Sequence, residues 1–267
     1  MYLADCHLHT HHSPDSESGL RDVCEAGLRA GLSALTVTDH VEMSWFVGGG
    51  YDRSSAASFE ETSRFAAEYR ERLLILRGVE LGEPLEDQEA AEALLNSHDY
   101  DFVLGSLHNL PGVDDFYFLD YGKVDPLPLL DRYFDELLRM VGWGRFDSLA
   151  HLTYPFRYLP EDLRSAGTGR WRDGIDAVLK AAAGKGLALE INVSGLRDPR
   201  YFLSPDLPLL RRFHELGGRL ITVGSDAHRP QDVGVPVEEG LRAAKEAGFD
   251  AYALFVGRQP VLHPLDL

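Results

Sequence analysis

The sequence has 267 residues, 44% of them hydrophobic, which is enough to bury the core of one large α/β domain or two small ones. Its formal net charge of −17 argues against general nucleic-acid binding, which needs a basic surface. The sequence shows neither an apolar run long enough to span a bilayer nor a signal-peptide pattern, so we expect a cytoplasmic protein without a membrane partner.

Short apolar runs alternate with helical patterns along the chain. The runs predict strands at 2–6, 34–38, 74–79, 102–106, 148–150, 187–193, 220–224 and 252–256. The helical patterns lie at about 19–30, 58–72, 126–140, 173–184, 207–217 and 237–247. Several end where a helix C-cap favours glycine, at Gly31, Gly184, Gly217 and Gly248.

Repeated strand–helix units indicate a parallel sheet. Seven or eight such units in one domain, 1–267, favour a closed, distorted (β/α)7 barrel of the TIM type, with an open doubly wound sheet as the alternative. No Gly-x-Gly-x-x-Gly follows the first strand, so a dinucleotide site is not indicated. The longest irregular stretches, 41–57 and 109–125, both follow strands and should lie on the same rim.

Possible metal ligands or other polar groups follow all seven of the first strands. In chain order they are His7, His9 and Asp15; Asp39 and His40; Glu80; His108; His151; Asn192; and Asp226 and His228. The carboxyl ends of parallel barrel strands meet on one face, where active sites lie. Positions i and i+2 of a strand point to the same side, so His7 and His9 can bind one ion together.

The predicted donors are imidazoles and carboxylates without thiolates, since we interpret Cys6 as a small buried residue. That set suits zinc, manganese or iron, and it is large enough for two or three ions. We expect Asp39 and Asp5 to orient the metal-binding side chains through hydrogen bonds, without binding an ion themselves. The remaining histidines, which we interpret as ordinary residues, are His11, His12, His98, His214 and His263, of which His12 neighbours the ligand loop.

These motifs resemble the polymerase-and-histidinol-phosphatase (PHP) family. The matching residues are Asp5-x-His7-x-His9-Thr10-x-x-Ser13-x-Asp15, Thr38-Asp39-His40, Gly78-Val79-Glu80, Ser106-Leu107-His108, Ala150-His151 and Gly224-Ser225-Asp226-Ala227-His228. The resemblance implies a distorted (β/α)7 barrel with three divalent ions. Within the family the chain is similar to stand-alone histidinol-phosphate phosphatases, including the stretch from His151 to Tyr158.

The resemblance also implies how the ligands are shared. One ion would be held by His7, His9, Glu80 and Asp226. A second would be held by Glu80, His108 and His151, so that Glu80 bridges the two. The third would be held by Asp15, His40 and His228, although some family members have histidine in place of Asp15.

We therefore predict hydrolysis of a phosphate monoester, L-histidinol phosphate, with catalytic roles for Glu80, Asp226 and His228. Two arginines beyond strand ends, Arg157 and Arg197, are candidates for phosphate binding because guanidinium groups match phosphate oxygens. The substrate's amine and imidazole would meet side chains of the long loops, namely Glu42, Asp114 or Asp115 and the aromatic residues Trp45, Phe46, Phe116, Tyr117 and Phe118.

Two other functions stay open. The first is another PHP phosphoesterase, such as a phosphodiesterase, a nuclease, or a nucleotide or protein-tyrosine phosphatase. The second is a metal-binding domain without catalysis. A carbamylated-lysine amidohydrolase is disfavoured, because no lysine lies near a predicted strand end.

Overall fold

The computed structural model describes residues 2–198 and 201–266. Its main sheet has parallel neighbours in the order β1-β2-β4-β5-β6-β7-β8. The strands are β1 (Ala4–Asp5), β2 (Ala34–Val37), β3 (His40–Glu42), β4 (Leu74–Gly82), β5 (Phe102–Ser106), β6 (Ser148–Leu149), β7 (Ala188–Asn192) and β8 (Ile221–Gly224). The predicted seven-position parallel barrel is confirmed.

The eight strands of the main sheet occupy seven positions around the barrel. Both β2 and β3 pair with β4, the first along Leu74 to Arg77 and the second along Glu80 to Gly82. The ring closes where the Cys6 amide donates to the Val223 carbonyl at 2.9 Å and Leu8 bridges Ala227 in parallel register. The barrel therefore has a single rim of strand carboxyl ends.

Eight α-helices connect the described strands or follow them. They are α1 (Leu20–Arg29), α2 (Tyr51–Tyr69), α3 (Gln88–Ser97), α4 (Pro126–Trp143), α5 (Glu161–Ala166), α6 (Arg172–Lys185), α7 (Leu207–Glu215) and α8 (Val237–Ala247). Apolar residues of strands and helices form one continuous buried cluster. No helix among the described residues is long and apolar enough to cross a membrane.

The sequence prediction placed the start of α2 too late, at residue 58. The helix begins at Tyr51, directly after Gly50 in the left-handed region at φ 76°. Its buried face includes Ser55, Ser58 and Thr62, which carry no hydrophobic signal. The stretch 41–57 is therefore not one loop, since it also contains the last two residues of β3.

Two further helix predictions need correction. Helix α3 was not predicted, although Asp87 caps it by accepting a hydrogen bond from the Ala90 amide at 2.9 Å. Helix α6 continues past Gly184, and the residue in the left-handed C-cap conformation is Gly186.

The last predicted strand lies outside the barrel. It is β9 (Ala251–Val256), which pairs antiparallel with β10 (Gln259–Pro264). The two-residue turn between them has positive φ at Gly257 and Arg258, as a tight hairpin of matching twist requires.

Candidate metal centre

The predicted ligands converge on the rim formed by the strand carboxyl ends. His40 and Glu80 are register neighbours on β3 and β4, and both side chains face the centre of the rim. His7 and His9 follow β1, and Asp226 follows β8, where the Asp226 amide donates to the His7 carbonyl at 2.8 Å. Parallel pairing thus brings together residues more than 200 positions apart.

Glu80 lies at the centre of this arrangement and is 1% exposed. Its Oε1 is 3.0 Å from His151 Nε2 and 3.2 Å from His108 Nε2. Its Oε2 is 3.0 Å from His40 Nδ1 and 3.2 Å from His7 Nε2. Each carboxylate oxygen therefore faces a different pair of imidazoles, which is the geometry a bridging ligand needs.

The ionisation of Glu80 follows from its neighbours. Burial alone would raise the pKa of its carboxyl group, but the positive charges of His7, His40 and His108 outweigh burial and hold the pKa well below its usual range. Glu80 is therefore a carboxylate at neutral pH and can bind a cation through each of its two oxygens.

A second group joins His7, His9 and Asp226. The two Nε2 atoms of His7 and His9 face each other at 3.0 Å, and Asp226 Oδ1 lies 3.6 Å from the first and 3.4 Å from the second. Burial together with the charges of His228 and His40 lowers the pKa of His9 to about 3, so its imidazole is neutral with a free lone pair.

The third group is more open to solvent. His228 Nε2 lies 3.0 Å from Asp15 Oδ2, and His40 Nε2 lies 3.7 Å from the same oxygen. The rings of His40 and His228 both stack on His9, with centroids 4.3 and 4.1 Å away. Asp15 is 55% exposed, so a cation here would keep contact with water.

The donor set fits several divalent transition-metal ions. Three of its triads have donor atoms within 4.8 Å of one another: His7, His9 and Asp226; His40, Glu80 and His108; His9, His40 and His228. Tetrahedral ligands with bonds of about 2.0–2.1 Å are roughly 3.3 Å apart, close to the separations of 3.0–3.7 Å found here. Cys6 is buried and belongs to none of these triads, so their donors are nitrogen and oxygen, as expected.

Glu190 on β7 is a site residue that the sequence reasoning missed. Its Oε1 is 2.6 Å from His7 Nδ1, and its Oε2 accepts the His151 amide at 2.8 Å. A Cβ added to Gly224 would lie 2.6 Å from Glu190 Oε1 and 2.3 Å from the His7 Cβ, so only glycine fits there. A charged residue inside an apolar strand, two positions before Asn192, was the available signal.

Glu190→Gln tests whether Glu190 positions His7. The amide keeps the shape but removes the charge that fixes the imidazole with Nε2 free, so we expect metal affinity to fall by about 10- to 100-fold. Competition with a zinc chelator measures the affinity. Wild-type affinity in this variant would mean that the contact is only structural.

The orienting roles predicted for Asp39 and Asp5 are indirect. Asp39 accepts hydrogen bonds from the Thr10 amide at 2.6 Å and the Ser13 hydroxyl at 2.8 Å, and Ser13 Oγ lies 3.1 Å from His9 Nδ1. Asp5 accepts the Ser225 and Gly234 amides at 2.8 Å. Both carboxylates therefore hold loops that carry ligands rather than contacting ligand side chains.

The backbone at Asp226 is strained, with φ 54° in a residue other than glycine. This conformation directs the Asp226 carboxylate toward His9 and lets the next residue, Ala227, form its bridge with Leu8. Asn192 supports this position by donating to Asp226 Oδ2 at 3.2 Å.

The two predicted phosphate-binding arginines occupy different places. Arg157 lines the cleft above the ligands, with Nη1 3.5 Å from Asp226 Oδ2 and Nη2 donating to Asn192 Oδ1 at 3.3 Å. Arg197 does not line this cleft. Its guanidinium donates to the carbonyls of Ser225 at 2.6 Å, Asp226 at 3.3 Å and Val235 at 3.3 Å. The N–H groups that would bind a phosphate therefore already bind backbone oxygens.

The cleft has a volume of about 640 Å³ and opens above Glu80. Of the loop side chains predicted to meet a substrate, Glu42, Trp45, Asp115, Tyr117 and Phe118 line it. Phe116 does not line it, because its ring is fully buried against Tyr133. Phe46 and Asp114 also lie outside the lining.

Glu42 lies closer to the ligands than expected. Its Oε1 is 3.0 Å from His40 Nδ1 and 3.2 Å from His108 Nδ1. Burial would raise the pKa of its carboxyl group, but the charges and hydrogen bonds of these histidines lower it well below the usual range. Glu42 therefore adds a carboxylate between the ligands and the cleft.

Comparison with known proteins places the chain in a family. The PHP domain model matches residues 5–194, so the chain belongs to the PHP family. It is 30% identical over 242 residues to a probable histidinol-phosphatase of Clostridium acetobutylicum, covering 90% of this chain and 92% of that protein. It is 29% identical to the histidinol-phosphatase of Lactococcus lactis subsp. lactis, covering 96% of each.

A solved structure extends the likeness beyond the segment that the family model matches. The histidinol phosphate phosphatase of Lactococcus lactis, complexed with zinc, L-histidinol and phosphate, superposes with a TM-score of 0.84 at 27% identity. The alignment covers 97% of this chain and 98% of that one, so it includes the region of Asp226 and His228.

Proposed function

We propose that this chain is a histidinol-phosphate phosphatase, which hydrolyses L-histidinol phosphate to L-histidinol and phosphate in histidine biosynthesis. The observation that carries the proposal is the convergence of imidazoles and carboxylates around Glu80 beneath a cleft lined by Arg157. The full-length likeness to a phosphatase holding zinc, histidinol and phosphate supports the substrate. Residues 1–267 act as one domain, and the reaction takes place in the cytoplasm.

Three divalent ions would be held by the ligands of the rim. The first would be held by His7, His9, Glu80 and Asp226. The second would be held by Glu80, His108 and His151, and the third by Asp15, His40 and His228. When bound, such zinc, iron or manganese ions act as Lewis acids on phosphoryl oxygens and make water a stronger nucleophile at neutral pH.

The chain's own groups bind and orient the ester. Arg157 donates to phosphate oxygens, since its guanidinium lines the cleft with Nη1 3.5 Å from Asp226 Oδ2. Glu80 and Asp226 both approach the imidazoles of His7 and His9, and His228, 28% exposed, lies on the more open side beside Asp15. Glu42 and Asp115 offer carboxylates to a cationic amine or imidazole, and Trp45 and Tyr117 offer aromatic faces.

Phosphate release tests this function. Protein stripped with EDTA and reloaded with zinc, manganese or iron should hydrolyse histidinol phosphate with a higher kcat/KM than p-nitrophenyl phosphate or phosphotyrosine, and the stripped protein should be inactive. Faster cleavage of another ester would reassign the substrate within the family. Full metal loading with no turnover of any ester would identify a metal-binding domain without catalysis.

A further inference from the structure

A second cluster of metal-ligating side chains lies outside the centre. His11 and His12 occupy the turn that follows Thr10, and Glu61 extends from α2 toward them. His12 Nε2 lies 3.1 Å from Glu61 Oε2, and His11 Nε2 lies 3.6 Å from the same oxygen. One carboxylate oxygen thus faces two imidazole nitrogens.

The spacing matches the coordination sphere of a small transition-metal ion. Two ligands of a tetrahedral ion with bonds of about 2.0–2.1 Å are roughly 3.3 Å apart, between the two distances observed. The three donor atoms all lie within 4.8 Å of one another. Small rotations of the side chains would therefore bring all three to one ion.

Adjacent residues on a strand would point to opposite sides. His11 and His12 lie in a turn instead, and their ring centroids are only 4.2 Å apart. The turn therefore presents both imidazoles to the same carboxylate.

Neighbouring contacts leave one carboxylate oxygen for this cluster. Arg64 donates to Glu61 Oε1 at 2.8 Å, which fixes the carboxylate and directs Oε2 toward the histidines. The side chains of His11, His12 and Glu61 are 46%, 16% and 21% exposed. Water thus has access to the remaining coordination positions.

We propose that His11, His12 and Glu61 bind an additional divalent transition-metal ion, of which zinc is the test case. Two imidazoles and one carboxylate favour zinc, nickel or copper over magnesium or calcium. The bound ion would fasten the turn to α2.

Zinc stoichiometry tests the proposal without reference to hydrolysis. The metal-loaded protein is dialysed to equilibrium against a series of buffered free zinc concentrations, and bound zinc per chain is measured by mass spectrometry. We expect His12→Ala and Glu61→Gln each to bind one zinc fewer than wild type at saturation, with phosphate release unchanged. Glu60→Gln is the matched control, since Glu60 is the exposed neighbour on α2 and the charge change is the same.

Equal zinc binding by wild type, His12→Ala and Glu61→Gln at every concentration would overturn the proposal and leave an imidazole–carboxylate ion pair. Loss of one zinc in Glu60→Gln as well would also overturn it, as a general effect of surface charge. Loss of more than one zinc in His12→Ala, together with loss of phosphate release, would place the turn inside the main centre and contradict a separate site. The stoichiometry holds whichever ester the protein hydrolyses.

Discussion

Glu80→Gln should lower kcat/KM for phosphate-ester hydrolysis on the order of a thousand-fold, because weaker binding of the divalent ions would remove several kcal/mol of transition-state charge stabilisation. Glu80 is nearly fully buried, and its oxygens lie 3.0–3.2 Å from nitrogen atoms of four histidines. Glutamine keeps the shape but has one oxygen in place of two, and its amide nitrogen cannot accept a cation. Cations on both sides of the side chain would therefore lose a shared negative ligand.

Steady-state kinetics and metal content should be measured on the same preparations of this variant. We expect reduced metal content together with the loss of activity, whereas Glu89→Gln, at an exposed position of α3, should match wild type in both. Activity within tenfold of wild type at full metal loading would show that Glu80 does not bridge.

Arg157→Lys should lower kcat/KM and leave metal content and stability unchanged, whereas Arg197→Ala should lower stability and metal binding. This contrast is the second large effect that we expect. Arg157 lines the cleft beside Asp226, and lysine could not make the two-pronged phosphate contact that we propose for the guanidinium. Because a hydrogen bond to a charged group contributes about 1.5–3 kcal/mol, we expect kcat/KM to fall by roughly 10- to 100-fold. Metal content and thermal stability should stay at wild-type values.

Arg197→Ala should act through the fold. Removing its guanidinium leaves the carbonyls of Ser225 and Asp226 without their side-chain donor, at a cost of about 1–3 kcal/mol for each one left unsatisfied. We expect a lower unfolding temperature and weaker metal binding, since Asp226 is one of the proposed metal ligands. Full metal content and unchanged stability with a raised KM would instead restore Arg197 as a phosphate ligand.

The barrel and the membership of its rim were predictable because they follow local rules. A parallel strand ends at a defined point, and its carboxyl end lies on a known face, so His7, His40, Glu80, His108 and His151 were expected at one rim. The structure brings them together around Glu80. Their assignment to individual ions stays a prediction.

Helix boundaries depended on contacts that local sequence does not contain. The start of α2 was placed seven residues late because its buried face includes the polar residues Ser55 and Ser58. Ser58 can be buried because its hydroxyl donates to Asp39 at 2.6 Å. A polar residue satisfied by a distant partner carries no hydrophobic periodicity.

The sequence by itself determined the kind of chemistry, because the donor residue types and their order on successive strands need no distances to be recognised. Only the tertiary structure decided which groups face one another: Glu190 behind His7, Arg197 on backbone carbonyls, and Glu61 opposite His11 and His12. Long side chains take their direction from partners that are distant in sequence, and local patterns do not encode these partners. The ligand pair His7 and His9 was visible in the first ten residues, whereas the groups that hold it in place come from the rest of the barrel.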